Sequence, residues 1–582
     1  MRKARRLTSL APLLALAALT QPLAGASPAA RRPTPAPVPV PLIAGLGSYH
    51  RLITARSPAA QRYFDQGLRL LYAFNLEEAE RSFAEAARLD PTCAFCSWGV
   101  GMALGPHINL PAQADRTRAA YRAAAEARRR AAASAASGAT GASTTPVERA
   151  LIAALGRRYA DPPPVQPEAQ AALDRAYADA MRDVHRRFPA DPDAGALFAE
   201  AMMDLRPWDL WTHDGRPQPG TVELVAALED VLRRRPDHPG ANHYYIHAVE
   251  ASPHPERALA SARRIGAAMP AAGHLVHMPG HVYMRVGRYE EAAEANRQAI
   301  RAEAAYVARA HPRGFYLMYV AHNYQFLWAA ALMEGRSAEA FQAARDALAQ
   351  IPAEMMATMP GLDFALGYPQ WTAIRFARYA EVLRAPQPPA QYPYARAMWH
   401  VARGLARVGE GRIAGAVDAA AEHAAAEGLL KSVPAAAMEG FNPAHALGGI
   451  AADLLGGEIA AASGRTAEAT ALLRRAAAAE DGLAYDEPSD WNLPVRHALG
   501  AVLLAAGRPA EAEAVYREDL RRNPENGWAL KGLELSLRQE RRALEAAAVE
   551  RRFARAWRRA DVAAAAVWPL APAGPQTRSS GG

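Results

Sequence analysis

His243, His247 and Glu250 stand four and three residues apart, and His277 and His281 repeat the first spacing thirty-four residues later. Residues three or four apart share one face of a helix, so each pair can present two imidazoles to one ligand. Neutral imidazole binds transition metals readily. Two histidines with one carboxylate suit iron or zinc, and an all-histidine set suits copper or zinc. His274 and His322 join them, giving six histidines and a carboxylate as candidate ligands. Nine of the 17 histidines lie between His238 and His322, so the concentration is local. Tyr244, Tyr283, Tyr324, Gln325 and Trp328 are interspersed among them. These side chains support an alternative without metal: a groove wall that docks a peptide or an envelope protein.

The thirty-four-residue offset names the elements that would position the set. It is the period of a tetratricopeptide (TPR) repeat, a hairpin of two helices. Close packing of that hairpin asks for a small residue at position 8, Ala at 20, a large apolar residue at 24, Ala at 27 and Pro at 32. Counting from Ala60 meets all five, with Gly67, Ala79, Phe83, Ala86 and Pro91. Partial copies start at Pro239 (Ala258, Pro270), Gly273 (Gly280, Ala292, Ala299) and Ala321 (Ala340, Ala347, Pro352). Others start near Ala397, Ile450, Leu493 and Glu525, with Gly404, Gly457, Gly500 and Gly532 at position 8. The fold class is therefore all-α, a TPR-type solenoid with irregular insertions. In such a stack the first helices line the concave face, through their positions 2, 5, 9 and 12. His243, His247 and Glu250 fall on 5, 9 and 12; His274, His277 and His281 on 2, 5 and 9; His322 and Gln325 on 2 and 5. All point into one groove.

Composition agrees. The 582 residues are 51% hydrophobic, rich in Ala and poor in β-branched side chains, which favours helix throughout. A basic start, an apolar run from Leu7 to Leu19 and the small residues Ala24-Gly25-Ala26 read as a cleavable secretory signal, so a periplasmic or secreted location is expected. No stretch is long and apolar enough to suggest membrane insertion. The formal charge of +8 halves once Arg2, Lys3, Arg5 and Arg6 leave, and the remaining arginines spread along helical faces, which argues against nucleic-acid binding. The organisation read from these signals is a signal peptide at 1–26, a Pro-rich flexible leader at 27–46 and N-terminal hairpins at 47–130. A low-complexity loop at 131–145 and a helical segment with a Pro/Gly loop at 146–238 follow. The His-rich repeats occupy 239–354, further repeats 355–480 and 481–565, and a disordered tail 566–582.

Cys93 and Cys96 are the only cysteines. An exported protein makes a local disulfide the simplest reading; ligation of a metal by both sulfurs, with His107 nearby in sequence, is the other. Haem is excluded, because Ser97 stands where c-type attachment needs His. No phosphate-binding Gly loop, nucleophile elbow or H-E-x-x-H motif is present, so no catalytic residue is assigned. Tyr485-Asp486-Glu487-Pro488 and Trp491 precede a repeat and stand ready to close the groove, with Glu487 a further candidate ligand or base.

Several long segments go beyond the repeat template: CAFCSWGVGMALGPHIN, RPWDLWTHDGRPQPGT, HPGANHYYIHAVEAS, AGHLVHMPGHVYMRVGRYEEA and YDEPSDWNLPVRHALG. With QRYFDQGLRLLYAFNLEEAERSFAEAARLDP they resemble a family of exported bacterial TPR-repeat proteins of uncharacterised function, over about Gly45 to Arg559. The resemblance implies the fold and export, and it covers both cysteines and all six candidate histidines. Leu76 and Gln325 depart from it, standing where members of the family commonly carry His. That departure implies a smaller ligand set here.

Overall fold

The computed structural model describes residues 40–136, 143–411 and 413–563, together with Trp568 and Leu570. The signal segment, most of the leader, the centre of the low-complexity segment and most of the C-terminal tail lie outside the described residues. The chain is an all-α solenoid of stacked helical hairpins; among the described residues the sole sheet is a two-residue antiparallel pair, Met438–Glu439 with Asn442–Pro443. No described helix is long and apolar enough to cross a membrane.

The first hairpin shows why the repeat folds. Helix α1 (Pro58–Tyr72) starts with Ser57 accepting from the Ala60 N–H and Pro58 in its first turn, and α2 (Leu76–Leu89) starts with Asn75 accepting from Glu78 N–H. Phe83 of α2 is fully buried against Gly67 of α1 and Gly99 of α3 (Ala94–Ala103). A Cβ at Gly67 or Gly99 would lie 2.7 or 2.3 Å from that ring, so only glycine admits the aromatic between helices. Burying such a side chain contributes about 1.5–3 kcal/mol. The motif recurs where Gly500 and Gly532 flank Tyr516.

Then come α4 (Ala114–Ala136), α5 (Pro146–Leu155), α6 (Pro167–Arg187), α7 (Pro192–Met203) and α8 (Thr221–Arg234). The His-rich part is α9 (Pro239–Glu250), α10 (Leu259–Ala268), α11 (Gly273–His277), α12 (Pro279–Arg285), α13 (Tyr289–Ala310) and α14 (Tyr316–Met333). Pro279 carries no N–H, which interrupts the helical ladder between α11 and α12. The remaining hairpins run from α15 (Ser337–Ala349) to a last helix at Ala543–Ala556.

Three expectations are corrected at the ends of segments. Residues 40–46 are not a free leader: Val40 O accepts from Tyr63 OH, Ile43 N–H donates to Gln66 and Leu46 is 2% exposed. Helix α4 runs through Ala136, so the first six residues of the expected loop are helical, as their alanine content favours. Trp568 and Leu570 also differ from a disordered tail, since both are buried in the C-terminal core.

The solenoid winds far enough for its two ends to meet its middle. The Ala271 N–H donates to Gly45 O and Tyr306 OH donates to Asn75, tying α13 back to the first hairpin. From the other end, Trp528 Nε1–H donates to Leu332 O, and Asp561 accepts from the Ser337 and Ala338 N–H groups. The groove expected to face solvent is thereby covered.

Candidate metal centre

Helix α9 presents His243 and His247, α11 presents His274 and His277, α12 presents His281, and α14 presents His322. They form two triads. The ligand atoms of His243, His247 and His274 all lie within 4.8 Å of one another, as do those of His277, His281 and His322. Five of the six are between 0 and 4% exposed, and His322 is partly buried. The six histidines named from the sequence do converge, but inside the protein.

Hydrogen bonds fix the direction in which the rings face. His243 Nδ1 lies 2.7 Å from the Tyr72 carbonyl, which only accepts, so this nitrogen carries the proton. His277 Nδ1 lies 2.8 Å from Asn296 Oδ1, and the amide is oriented by its own Nδ2–H donating to Ala292 O. His247 Nδ1 donates to Glu250 Oε1 at 2.8 Å, and His281 Nδ1 stands 2.5 Å from Glu250 Oε2. His322 Nδ1 faces Gln325 Oε1 at 3.2 Å. The Nε2 atoms therefore turn inward. His243 and His274 bring theirs to 3.1 Å, His277 and His281 to 2.8 Å, and His247 Nε2 is buried with no hydrogen-bond partner. Outer partners on Nδ1 with Nε2 left free are the arrangement found around metal-binding histidines. Glu250, read from sequence as a ligand, instead spends both oxygens on the outer nitrogens of two histidines.

Burial sets the charge state. It holds His243, His274 and His277 well below the usual imidazole range, with mutual repulsion adding to the effect, and holds His322 at about 3. The rings are neutral and available as donors. Burial alone would push Glu250 up, but attraction from His281 and hydrogen bonds from His247 and His281 outweigh it and hold the carboxyl at about 2.

Aromatic rings wall the set, and two of them were not apparent from the histidine pattern. Phe74 packs 4.5 Å from His243 and 4.0 Å from His107, and Trp208 packs 5.2 Å from His247. Both have left-handed backbone, φ 55° and 63°, a conformation costly for bulky residues and concentrated at functional sites. For Phe74 a signal existed. It stands two residues before α2, where other hairpins place Gly287, Gly335, Gly464 and Gly507, all at positive φ. Phe326, 4.6 Å from both His277 and His281, covers the second triad, and Tyr319, 4.6 Å from His274, flanks the first.

The other sequence candidates separate. Tyr485 OH donates to Glu487 Oε2 at 3.1 Å and lies 3.5 Å from Glu250, so the 485–487 segment does close over the site. Burial raises Glu487 to about 7 against the pull of Arg285 and His281. Trp491 is buried away from the histidines, donating to Leu493 O and packing on Trp371. Trp328 is fully buried, donating to Thr372 Oγ1, and Tyr244 packs in the core between Tyr72 and Phe74, at the wall of a small internal recess beside His107. Tyr283 and Tyr324 are partly buried, and Arg288 covers the ring of Tyr283. Gln325 acts through His322, and Leu76 is a buried apolar neighbour of Phe74. Cys93 and Cys96 are joined as a disulfide with Cα atoms 5.4 Å apart, which leaves no thiolate pair for a metal; His107 stacks on Phe74 instead. Two narrow recesses reach the set: one to His247 and Glu250 past Trp208 and Tyr485, one to His274 past Tyr306 and Tyr316.

No protein-family model and no curated protein matches the sequence. Among solved structures the chain is similar to the human IFIT1 dimer with m7Gppp-AAAA, at 13% identity, covering 86% of this chain and 90% of that one, TM-score 0.33. It is similar also to yeast Tom70, at 10% identity, with 84% and 90% covered and a TM-score of 0.28. The APC/C hetero-tetramer Cut9–Hcn1 gives 13% identity, 82% and 76% covered, and a TM-score of 0.31. None is similar enough to transfer a ligand or a partner.

Proposed function

We propose that this helical-repeat protein holds transition metal, copper, zinc or iron, in its buried histidine cluster, and that it is an exported member of the bacterial TPR family it resembles. The observation that carries the metal reading is the inward turn of the Nε2 atoms. Facing lone pairs at 2.8 Å repel one another, and the protons that would relieve them are disfavoured by burial. A cation placed between them removes the conflict. Bound there, it would supply Lewis-acid or one-electron chemistry. The chain's own contribution is to fix ring orientation through Tyr72, Asn296 and Glu250 and to keep water out through Phe74, Trp208 and Phe326.

Elemental analysis by mass spectrometry tests this on untagged protein purified from the periplasm, beside a His243→Ala/His277→Ala double variant. One or two equivalents of copper, zinc or iron, lost in the variant, are expected. Metal at background in both, including after reconstitution, would refute the reading. Recovery of the protein in the cytoplasm with residues 1–26 attached would refute export.

A repeat solenoid is also a scaffold for partner proteins. The second reading, docking without metal, draws on Ile413 and Val417, one turn apart and each 74% exposed. In that case His277→Ala leaves melting temperature and partner capture unchanged, and Ile413→Glu/Val417→Glu abolishes capture.

A further inference from the structure

We infer that the cluster is built for two ions, one per triad, with Glu250 as an outer strap across both, and that the pair takes a small bridging anion between them. This rests on the metal reading above.

Three observations carry it. First, the inward-facing ligand atoms fall into two separate groups of three, His243 with His247 and His274, and His277 with His281 and His322, each close enough to hold its own ion. The triads are neighbours: His247 and His281 ring centres are 5.5 Å apart, and those of His274 and His277 5.9 Å. Second, Glu250 faces one histidine of each triad with its two oxygens, so the two triads share an outer partner. Third, the charge does not balance. Six neutral imidazoles and one carboxylate leave two divalent ions with three uncompensated positive charges in a buried site, which favours capture of an anion. Phe74, Trp208, Phe326 and Tyr319 crowd the surroundings, so the anion must be small.

Copper(II) titration of the full mature chain, read by elemental analysis and electron paramagnetic resonance with azide as the probe anion, tests the inference. Expected are two equivalents per chain, a resonance signal below half of the total copper because the ions are magnetically coupled, and an azide-dependent absorption band. His243→Gln and His277→Gln should each retain one equivalent, with full signal and no azide band. His322→Gln reports on the second triad should His277→Gln lose its helical circular dichroism. One equivalent in the unaltered chain, removed by either variant, would overturn the dinuclear site while leaving the metal reading standing. Two equivalents with full signal and no azide band would mean independent ions and overturn the bridge. Absence of copper, zinc and iron from every form ends both readings.

Discussion

Four residues of α9 separate His238 from His243, yet the two belong to buried polar clusters of opposite construction. His238 caps the helix and faces Asp193, which also accepts from Tyr49 OH and Tyr72 OH and pairs with Arg51. Arg51 pairs with Asp191 as well, so one guanidinium serves two carboxylates and nearly every polar atom has a partner. In the cluster that begins at His243, the outer nitrogens of His243, His247 and His277 are bonded, while His247 Nε2 and His274 Nδ1 are bare and Nε2 atoms face each other. A buried network satisfied from within serves architecture. One satisfied mainly from its outside leaves donor atoms free, which is the basis of the metal proposal.

The widest separation between the two clusters is expected under acid. In metal-free protein His243, His274 and His277 are held neutral by burial, while the unfolded chain takes up protons near pH 6.5. The unfolded state then binds more protons below that pH, so stability is complete above about 6.5 and falls as pH drops, by about 1.4 kcal/mol per pH unit for each such histidine. Asp193 titrates the other way. Despite its burial, Arg51 and His238 hold its carboxyl far below the usual range, so its contribution is complete above about pH 3.9 and is lost only below it. Urea midpoints taken from pH 8 to pH 3 should therefore descend in two stages; a flat profile between 6.5 and 5 would break the contrast.

Asp193→Ala should cost about 3–5 kcal/mol, because it leaves Arg51 with Asp191 alone and takes the buried acceptor from three further donors. Denaturation should register the same loss with and without metal. His274→Leu should behave in the opposite manner. Metal-free stability should change by less than about 1 kcal/mol, since one ring nitrogen of His274 has no partner to lose. What disappears is the stabilisation added by metal, about 2.7 kcal/mol at a hundredfold excess over Kd, read as a melting shift. The smallest effect is expected for His238→Asn, which keeps a capping acceptor for the Ala241 N–H and gives up the 3.3 Å contact with Asp193. A loss of about 1 kcal/mol or less with unchanged metal content would confirm that the architectural cluster ends where the ligand cluster begins.

Much of this was legible beforehand because the repeat converts linear spacing into position. Gly67 against Phe83 and the six histidines on stripe positions needed only the thirty-four-residue register. Trp328 could have been placed by the same register: it stands at position 8 of its repeat, which faces the hairpin partner, and in the structure it is buried on Thr372. What the register could not supply was everything brought in by closure. The Tyr72 carbonyl lies 171 residues from His243, and Tyr485 lies 235 from Glu250. No periodicity links such pairs. Glu250 changed role for a related reason: a stripe gives the face on which a carboxylate lies, and the direction of its oxygens depends on what the neighbouring helix offers.

Closure turns on time as much as on shape. Tyr485 over Glu250, Trp528 on Leu332 and Asp561 on Ser337 are made by the last-synthesised third of the chain. The histidines come together from α9 to α14, so a guest arriving while that final third is still unpaired meets an unroofed chamber, and a latecomer must wait for the roof to lift. Occupancy would then be a record of the conditions under which each molecule matured, retained long after those conditions changed.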